Sequence, residues 1–97
     1  MAQFDVYRLD DGPLIVDCQA DLLDYLHSRF VVPLLPPDLV DAGTGLNPRF
    51  KVDGQVLHLF PQGAATVPAS DLRRQVSSLV DDRFTILNAI DMLLTGV

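Results

Sequence analysis

A strong hairpin signal lies in the stretch FKVDGQVLHLF, which runs from Phe50 to Phe60. Within it, Asp53 and Gly54 separate two apolar-rich segments, and both residues tolerate the positive φ angles of a type I′ turn. A two-residue turn of this kind joins two antiparallel strands. The sequence therefore predicts a small projecting β-hairpin at this point, within a mostly antiparallel sheet.

The first segments of the chain alternate between apolar and polar residues. Every second side chain is apolar in residues 3–6 and again in residues 14–19, where Leu14, Val16 and Cys18 share one face. This period of two is expected of half-buried strands. Residues 10–13, Asp-Asp-Gly-Pro, are predicted to form the turn between them.

A short polar loop or helical turn is predicted for residues 21–28, before the apolar run Phe30–Val32. Pro33 and the pair Pro36-Pro37 are expected to stop that run, because proline cannot donate to a strand ladder. Residues 36–47 are then predicted to be loop.

The last third of the chain is predicted to end in a helix. Residues 62–68 fit a strand with weak ends, and residues 70–80 fit either a helical turn or a short strand. Asp81 or Asp82 can cap the first turn of the helix, and Gly96 can end it. Its apolar residues recur at helical spacing, namely Ile86, Leu87, Ile90, Leu93, Leu94 and Val97.

Length and composition indicate one domain, residues 1–97, that associates with a second copy. Ninety-seven residues supply a single hydrophobic core. Counted with Gly, about 53% of the residues are apolar, slightly above the roughly 45–50% usual for soluble domains. A chain this small buries only about 60–65% of its unfolded surface. We therefore expect part of the apolar content to lie in a subunit interface.

The charge favours protein partners over nucleic acid. All 13 acidic residues are Asp, against seven Lys and Arg, which gives a net charge of −6. An acidic domain is a poor independent binder of phosphate backbones.

The single cysteine, Cys18, fits a reducing compartment, and no apolar run approaches the roughly 18 residues that span a bilayer. We expect a cytoplasmic protein that makes no membrane contact.

No catalytic residue, metal site or cofactor is predicted. His27 and His58 lack a neighbouring Cys or Glu at metal-ligand spacing, so we interpret His58 as a partly exposed strand residue and His27 as a loop or helix-end residue. Cys18 lies on the predicted inward face, where an inert core thiol is favoured over a nucleophile. Paired Asp residues are explained by turns and helix starts, since their side chains bond nearby backbone amides.

Six segments, in order along nearly the whole chain, resemble the CcdB toxins. They are QFDVY (3–7), LIVDCQADLLD (14–24), RFVVPL (29–34), LNP (46–48), AATVP (64–68) and ILNAIDMLLTGV (86–97). The resemblance implies a mainly β fold, an SH3-like, partly barrel-shaped antiparallel five-stranded sheet with a small wing and a C-terminal α-helix. The hairpin at Asp53-Gly54 would lie in the wing.

The resemblance also implies a function. CcdB-like proteins are homodimeric toxins of toxin–antitoxin pairs, not enzymes, and poison DNA gyrase by binding its A subunit and trapping the cleaved-DNA complex. Their partner is a small CcdA-like antitoxin whose disordered tail wraps the toxin. The two together repress their own operon, so that the toxin contacts DNA only as part of the toxin–antitoxin complex. An acidic toxin suits a basic partner.

By position, the resemblance assigns gyrase binding to Leu22, Leu23, Asp91, Thr95, Gly96 and Val97. Leu22 and Leu23 match an Ile pair of the family, Asp91 stands where the family has Asn, and the last three residues replace Trp-Gly-Ile. An aromatic anchor at an interface often contributes about 2 kcal/mol or more, so Thr95 in place of Trp predicts weak poisoning.

Ile90, Leu93 and Leu94 are expected at the dimer interface. Leu22, Leu23 and Leu94 also fit ordinary core or dimer packing.

Two other functions stay open. A MazF-like endoribonuclease would share the fold, but it requires a basic RNA groove and an acid/base pair, whereas this chain has one Lys, no Glu and no suitably placed His. A non-toxic CcdB-like module that retains dimerisation and antitoxin binding fits the loss of the Trp.

Overall fold

A computed structural model of the protein describes residues 2–41 and 45–97. The described residues form seven strands and one α-helix: β1 (Asp5–Arg8), β2 (Leu14–Asp17), β3 (Ser28–Leu35), β4 (Arg49–Val52), β5 (Gln55–Leu59), β6 (Ala65–Pro68), β7 (Gln75–Ser78) and α1 (Arg83–Thr95). Short 3₁₀ turns occupy Asp21–Leu23, Pro37–Leu39, Pro61–Gly63, Ala69–Asp71 and Val80–Asp82. The ambiguous segment 70–80 thus holds both a helical turn and a strand.

The loop predicted for residues 36–47 is interrupted by the 3₁₀ turn Pro37–Leu39, and residues 42–44 of that prediction lie outside the described residues. The strand predicted for residues 62–68 is shorter than expected, because the 3₁₀ turn Pro61–Gly63 occupies its start.

The strands form one antiparallel sheet in the order β4-β5-β3-β2-β1-β7, and β6 also pairs with β3. The sheet curls into a half-barrel. The hairpin of β4 and β5 is the wing, and the other five strands make the main sheet. This arrangement confirms the mainly β fold with a wing and a C-terminal helix.

The wing hairpin turns at the predicted residues. Asp53 and Gly54 have φ angles of 52° and 81°, both in the left-handed region that a type I′ turn requires. Val52 and Gln55 pair on either side of the turn. The prediction of a hairpin from the Asp-Gly pair is therefore confirmed.

β3 is the central strand and continues through Pro33 to Leu35, so the prediction that Pro33 stops it is wrong, whereas its end directly before Pro36-Pro37 is as predicted. β3 pairs with β2 on one side, and on the other with β6 over residues 28–31 and with β5 at residues 34–35. The Pro33 carbonyl accepts a hydrogen bond from Phe60 N at 2.9 Å, so the nitrogen of Pro33 faces that second side. The missing N–H falls where β3 changes partner, and no ladder bond is lost there.

β1 and β2 are buried on both faces, apart from the exposed Arg8, whereas the alternating pattern predicted half-buried strands. All four residues of β2 are buried because its second face is covered by a cluster of Tyr7, Ile15, Val31 and Leu72. The other face carries the main core, which includes two residues of α1. Its members are Phe4, Val6, Leu14, Val16, Cys18, Val32, Leu34, Phe50, Val52, Leu57, Leu59, Leu79, Ile86 and Ala89.

A buried ion pair joins β2 to β3 on the second face. Arg29 Nη2 and Nε donate to Asp17 Oδ2 at 2.6 and 2.9 Å, and each side chain is at most 1% exposed. Asp17 Oδ1 also accepts a hydrogen bond from Gln19 N at 3.2 Å. Arg29 Nη1 has no hydrogen-bond partner among the described residues. Desolvating two charges is costly, so the pair contributes little net energy intact, but removing one partner is strongly destabilising.

α1 confirms the predicted helix and its end. Gly96 has a φ angle of 81° and donates its N–H to the Met92 carbonyl at 2.8 Å, the usual left-handed end of a helix. Asp82 occupies the N-cap position, but its side chain makes no capping hydrogen bond, so the predicted Asp cap is absent.

The apolar stripe predicted for α1 only partly faces the core. Ile86 is buried and Ile90 is half-buried against the core. Leu87, Leu93, Leu94 and Val97 are exposed. The helix rests on the sheet along a narrow line, which leaves the remaining apolar residues in solvent.

Two side chains with reactive potential are fixed inside the protein. Burial, and to a lesser extent the nearby Asp17 carboxylate, raises the pKa of the Cys18 thiol from 9.0 to about 12, as expected of an inert core thiol. His58 is buried, with Nδ1 3.0 Å from the Asn47 carbonyl oxygen. The prediction that His58 is partly exposed is wrong, because the segment at Asn47 packs over it.

Replacing Asp17 by Asn should destabilise the protein by about 3–5 kcal/mol, because it leaves the Arg29 guanidinium buried without its counter-charge. The double variant Asp17→Asn with Arg29→Met should recover most of that loss. Urea unfolding of the three proteins would measure the difference. A loss below about 1 kcal/mol for Asp17→Asn would contradict a structural role for the pair.

Cys18 should make stability fall above pH 9. Folding raises the thiol pKa from 9.0 to about 12, so the folded state keeps a proton that the unfolded state loses in this interval. The contribution of Cys18 to the free energy of unfolding is complete below pH 9. Above pH 9 the free energy of unfolding declines by up to about 1.4 kcal/mol per pH unit. Urea unfolding of wild type and Cys18→Ala at pH 8 and pH 10.5 would compare the slopes. Equal slopes would show that Cys18 does not cause the decline.

Candidate functional site

The end of α1 projects from the sheet as an exposed tip. The buried Ile86 and Ala89 set the direction of the helix, and Asp91, Thr95 and the residues after it are exposed. The Thr95 hydroxyl donates to the Asp91 carbonyl at 2.8 Å, which closes the last turn. The tip is therefore a regular helix end whose side chains are available to a partner.

A second exposed apolar segment surrounds the 3₁₀ turn Asp21–Leu23. Three hydrogen bonds, two of them through the Gln19 side chain, connect this turn to Gln3 and to β3. Gln3 N donates to Asp21 Oδ1 at 2.9 Å, Gln19 Nε2 donates to the Leu23 carbonyl at 2.9 Å, and Phe30 N donates to Gln19 Oε1 at 3.0 Å. Leu22 is 90% exposed and Leu23 is also exposed. The side chains of this turn are thus presented to solvent on a fixed backbone.

The structure brings four of the six predicted gyrase-binding residues together. Asp91, Thr95, Gly96 and Val97 lie on the last turn of α1 or directly after it. Leu22 and Leu23 lie on the separate turn at 21–23. All six are exposed within one chain, so none of them is needed for the core.

The three predicted dimer residues differ in their surroundings. Ile90 is half-buried and packs against the main core of its own chain. Leu93 and Leu94 are exposed, and Leu94 is 75% exposed. The exposure of Leu94 rules out the alternative that it is an ordinary core residue.

Several exposed apolar residues were not singled out from the sequence as site residues. Tyr25 and Leu26 extend the apolar segment at 21–23, and Phe84 and Leu87 lie on α1. Phe84 and Leu87 lie off the helical face centred on Ile86 and Ala89, but only the structure identifies that face as the buried one.

An open groove of about 450 Å³ lies between the β1–β2 turn and the wing. Leu14, Leu34 and Leu57, which are buried, contribute to its lining, and Arg8 stands beside them. An apolar groove with one cation accepts an extended peptide more readily than a small polar substrate. Sequence reasoning missed it because it is formed by strands that are distant along the chain.

These features can support protein binding. Within residues 2–41 and 45–97, no three metal-ligating side chains are close enough to hold a metal ion. In the same ranges, no helix is sufficiently long and apolar to cross a bilayer. The tip of α1 and the turn at 21–23 expose mainly apolar side chains, with Asp91 among them. Surfaces of this kind bind other proteins noncovalently.

Comparison with known proteins agrees with the fold. The comparison with curated proteins found no match. The sequence model of the CcdB protein family matches residues 3–96, which is nearly all of the chain. The antiparallel half-barrel, the wing hairpin and the terminal helix are consistent with that family. The chain is therefore a member of the CcdB family.

Proposed function

We propose that this protein is the toxin of a toxin–antitoxin pair and that it acts in the cytoplasm by binding the A subunit of DNA gyrase. The family match over residues 3–96 is the observation that carries the proposal. The exposed tip of α1 supports it, since a protein that acts by binding requires a surface its own core leaves free.

The proposed contact with gyrase is made by Asp91, Thr95, Gly96 and Val97, with Leu22 and Leu23 adding apolar area. Leu22 and Val97 are 90% and 89% exposed, so each has nearly all of its side chain available for burial against a partner. Binding of this kind holds gyrase with its DNA cut and involves no chemistry by the toxin. The protein is thus proposed to be an inhibitor and not an enzyme.

Thr95 should make this contact weak. The family has Trp at this position, and a Trp ring would add a large apolar area and a face for an Arg side chain. The Thr95 hydroxyl instead bonds back to the Asp91 carbonyl of its own helix. This observation favours a second candidate function, a non-toxic CcdB-like module that binds the antitoxin but traps gyrase poorly.

The proposed antitoxin is a small CcdA-like protein with a disordered tail. The open groove beside Arg8, lined by Leu14, Leu34 and Leu57, suits apolar side chains of an extended segment. The net charge of −6 attracts a basic partner. Together the two proteins would repress their operon, with the antitoxin supplying the contact to DNA.

Truncation at the tip of α1 tests the proposed gyrase contact. Deleting residues 95–97 should leave the melting temperature nearly unchanged, because these residues are exposed, but should abolish gyrase-mediated DNA cleavage complexes. Thr95→Trp should increase those complexes. Gyrase cleavage assays with wild type, the truncation and Thr95→Trp would measure the amount of cleavage complex that each protein traps. Equal trapping by wild type and the truncation would contradict the assignment.

Growth on induced expression separates the two candidate functions. Wild type that stops growth, with rescue by the antitoxin, supports a toxin. Wild type that permits growth, together with toxicity from Thr95→Trp, supports the non-toxic module.

We also propose a homodimer that buries Leu93 and Leu94. Leu93→Asp should shift the sedimentation mass from two chains to one, because a charge in an apolar interface is desolvated without a partner. The far-UV circular dichroism should be retained, since Leu93 is exposed within the single chain. Leu39→Asp, at an exposed leucine on another element, is the matched control. A wild-type protein that sediments as one chain at micromolar concentration would contradict the dimer.

A further inference from the structure

The groove between the β1–β2 turn and the wing has two arginines at one end. Arg8 lines the groove, and its backbone N–H donates to the Arg74 carbonyl at 2.9 Å, so the two residues lie opposite each other on neighbouring segments. Both are exposed, and within residues 2–41 and 45–97 neither guanidinium forms an ion pair or a hydrogen bond. Like charges placed opposite each other repel. This end of the groove is therefore suited to an anionic group.

The two arginines lie on the same face of the sheet as the apolar lining of the groove. Arg8 pairs with Leu14, and Leu14 pairs with Leu34, so three neighbouring strands place these side chains in one row. Val76 lies two residues after Arg74 and packs against the main core, which places Arg74 on this face as well. An occupant with an anion at the arginines would thus have apolar groups against the leucines.

The opposite wall of the groove carries a free strand edge. Val52 and Gln55 pair on either side of the two-residue turn, and such a closing pair is hydrogen-bonded. Hydrogen-bonded and non-hydrogen-bonded pairs alternate along antiparallel strands, so the next residue, Val56, points its N–H and C=O away from β4 and toward the groove. β3 would supply their partner, but it ends at Leu35.

This edge favours a polypeptide over a small carboxylate as the occupant. A peptide backbone can pair with Val56 by adding a strand, and its alternate side chains then face the apolar lining. An acidic side chain in that row would enter the apolar part of the groove. A terminal carboxylate instead continues the line of the backbone, and it forms charge-assisted hydrogen bonds with arginine. The charge and the free edge together therefore fit the end of a chain.

We propose that the groove captures the C-terminal end of an extended partner segment. The terminal carboxylate lies between Arg8 and Arg74, the last apolar side chains pack against Leu14 and Leu34, and the backbone pairs with Val56. For the identity of the partner the inference rests on the proposed function, which makes this segment the end of the antitoxin's disordered tail. The groove would then select a partner by the position at which its chain stops.

Three synthetic peptides that share one hexapeptide of alternating Thr and Leu test the recognition of a chain end. The first ends in Leu with a free carboxylate, the second ends in the same Leu as an amide, and the third continues past that Leu with Gly-Ser-Gly. Each is titrated into isotope-labelled protein while the amide signals are followed by NMR. The free acid should shift the signals of Arg8 and Val56, and it should bind about tenfold or more tightly than either of the others.

Methylation of the peptide backbone tests the added strand. The free acid is prepared with a methyl group on each amide nitrogen in turn. Nitrogens that face β5 should lose about tenfold or more in affinity when methylated, and the nitrogens between them, which face away, should lose little. Equal losses at neighbouring nitrogens would contradict pairing with the edge at Val56.

Variants provide the matched controls. Arg8→Gln should lower the affinity for the free acid to that for the amide, and Arg74→Gln should lower it severalfold. Arg83→Gln makes the same change at an exposed arginine on α1 and should leave both affinities unchanged. Circular dichroism of each variant confirms that it is folded.

The outcomes separate this inference from the proposed function. Equal affinities for the three peptides, or equal losses in Arg8→Gln and Arg83→Gln, would overturn the recognition of a chain end. The small protein encoded beside this chain is then tested with its native C-terminus and with Gly-Ser-Gly added. An affinity lowered about tenfold by the addition supports the inference, and an unchanged affinity overturns it. Preference for the free-acid peptide without any binding of that protein would support the groove and overturn the proposed antitoxin instead.

Discussion

The ion pair between Asp17 and Arg29 fixes the alignment of the two strands on which the rest of the sheet depends. It joins β2 to β3 where both strands are covered, and β3 in turn pairs with β5 and β6. The residues next to Asp17 along the chain also position the turn at 21–23, since Gln19 bonds both Leu23 and Phe30. A charge pair in this position favours one alignment of the two strands, because any slip would separate the charges inside the protein.

The apolar side chains of α1 are exposed because the sheet covers only a small part of the helix surface. A half-barrel with one helix can bury only a narrow line of α1, and the residues on that line are small or β-branched. Phe84 and the three leucines of the helix remain outside. The protein therefore presents apolar surface on a regular helix, and binding to such a surface requires little ordering of the protein itself.

Local sequence patterns predicted many of the turns, strands and helix ends, but they did not predict which side chains are buried. The Asp53-Gly54 turn and the Gly96 helix end were predictable because each depends on backbone angles that few residues adopt. The course of β3 through Pro33 and the burial of His58 depend on strands far away along the sequence, which no local pattern encodes. The tip of α1 was located by family resemblance, whereas the exposure of Phe84 and Leu87 required knowing which side of the helix meets the sheet.

The division of β3 between two partners also bears on how the chain folds. The first half of β3 pairs with β6, which lies almost forty residues later in the chain, and β1 pairs with β7 near residue 75. Loops of that length must close before these pairings gain any energy, which is typical of slow-folding β proteins. A nascent chain therefore leaves this edge of its central strand open while about thirty further residues are made, and during that interval the edge is available to pair with another chain.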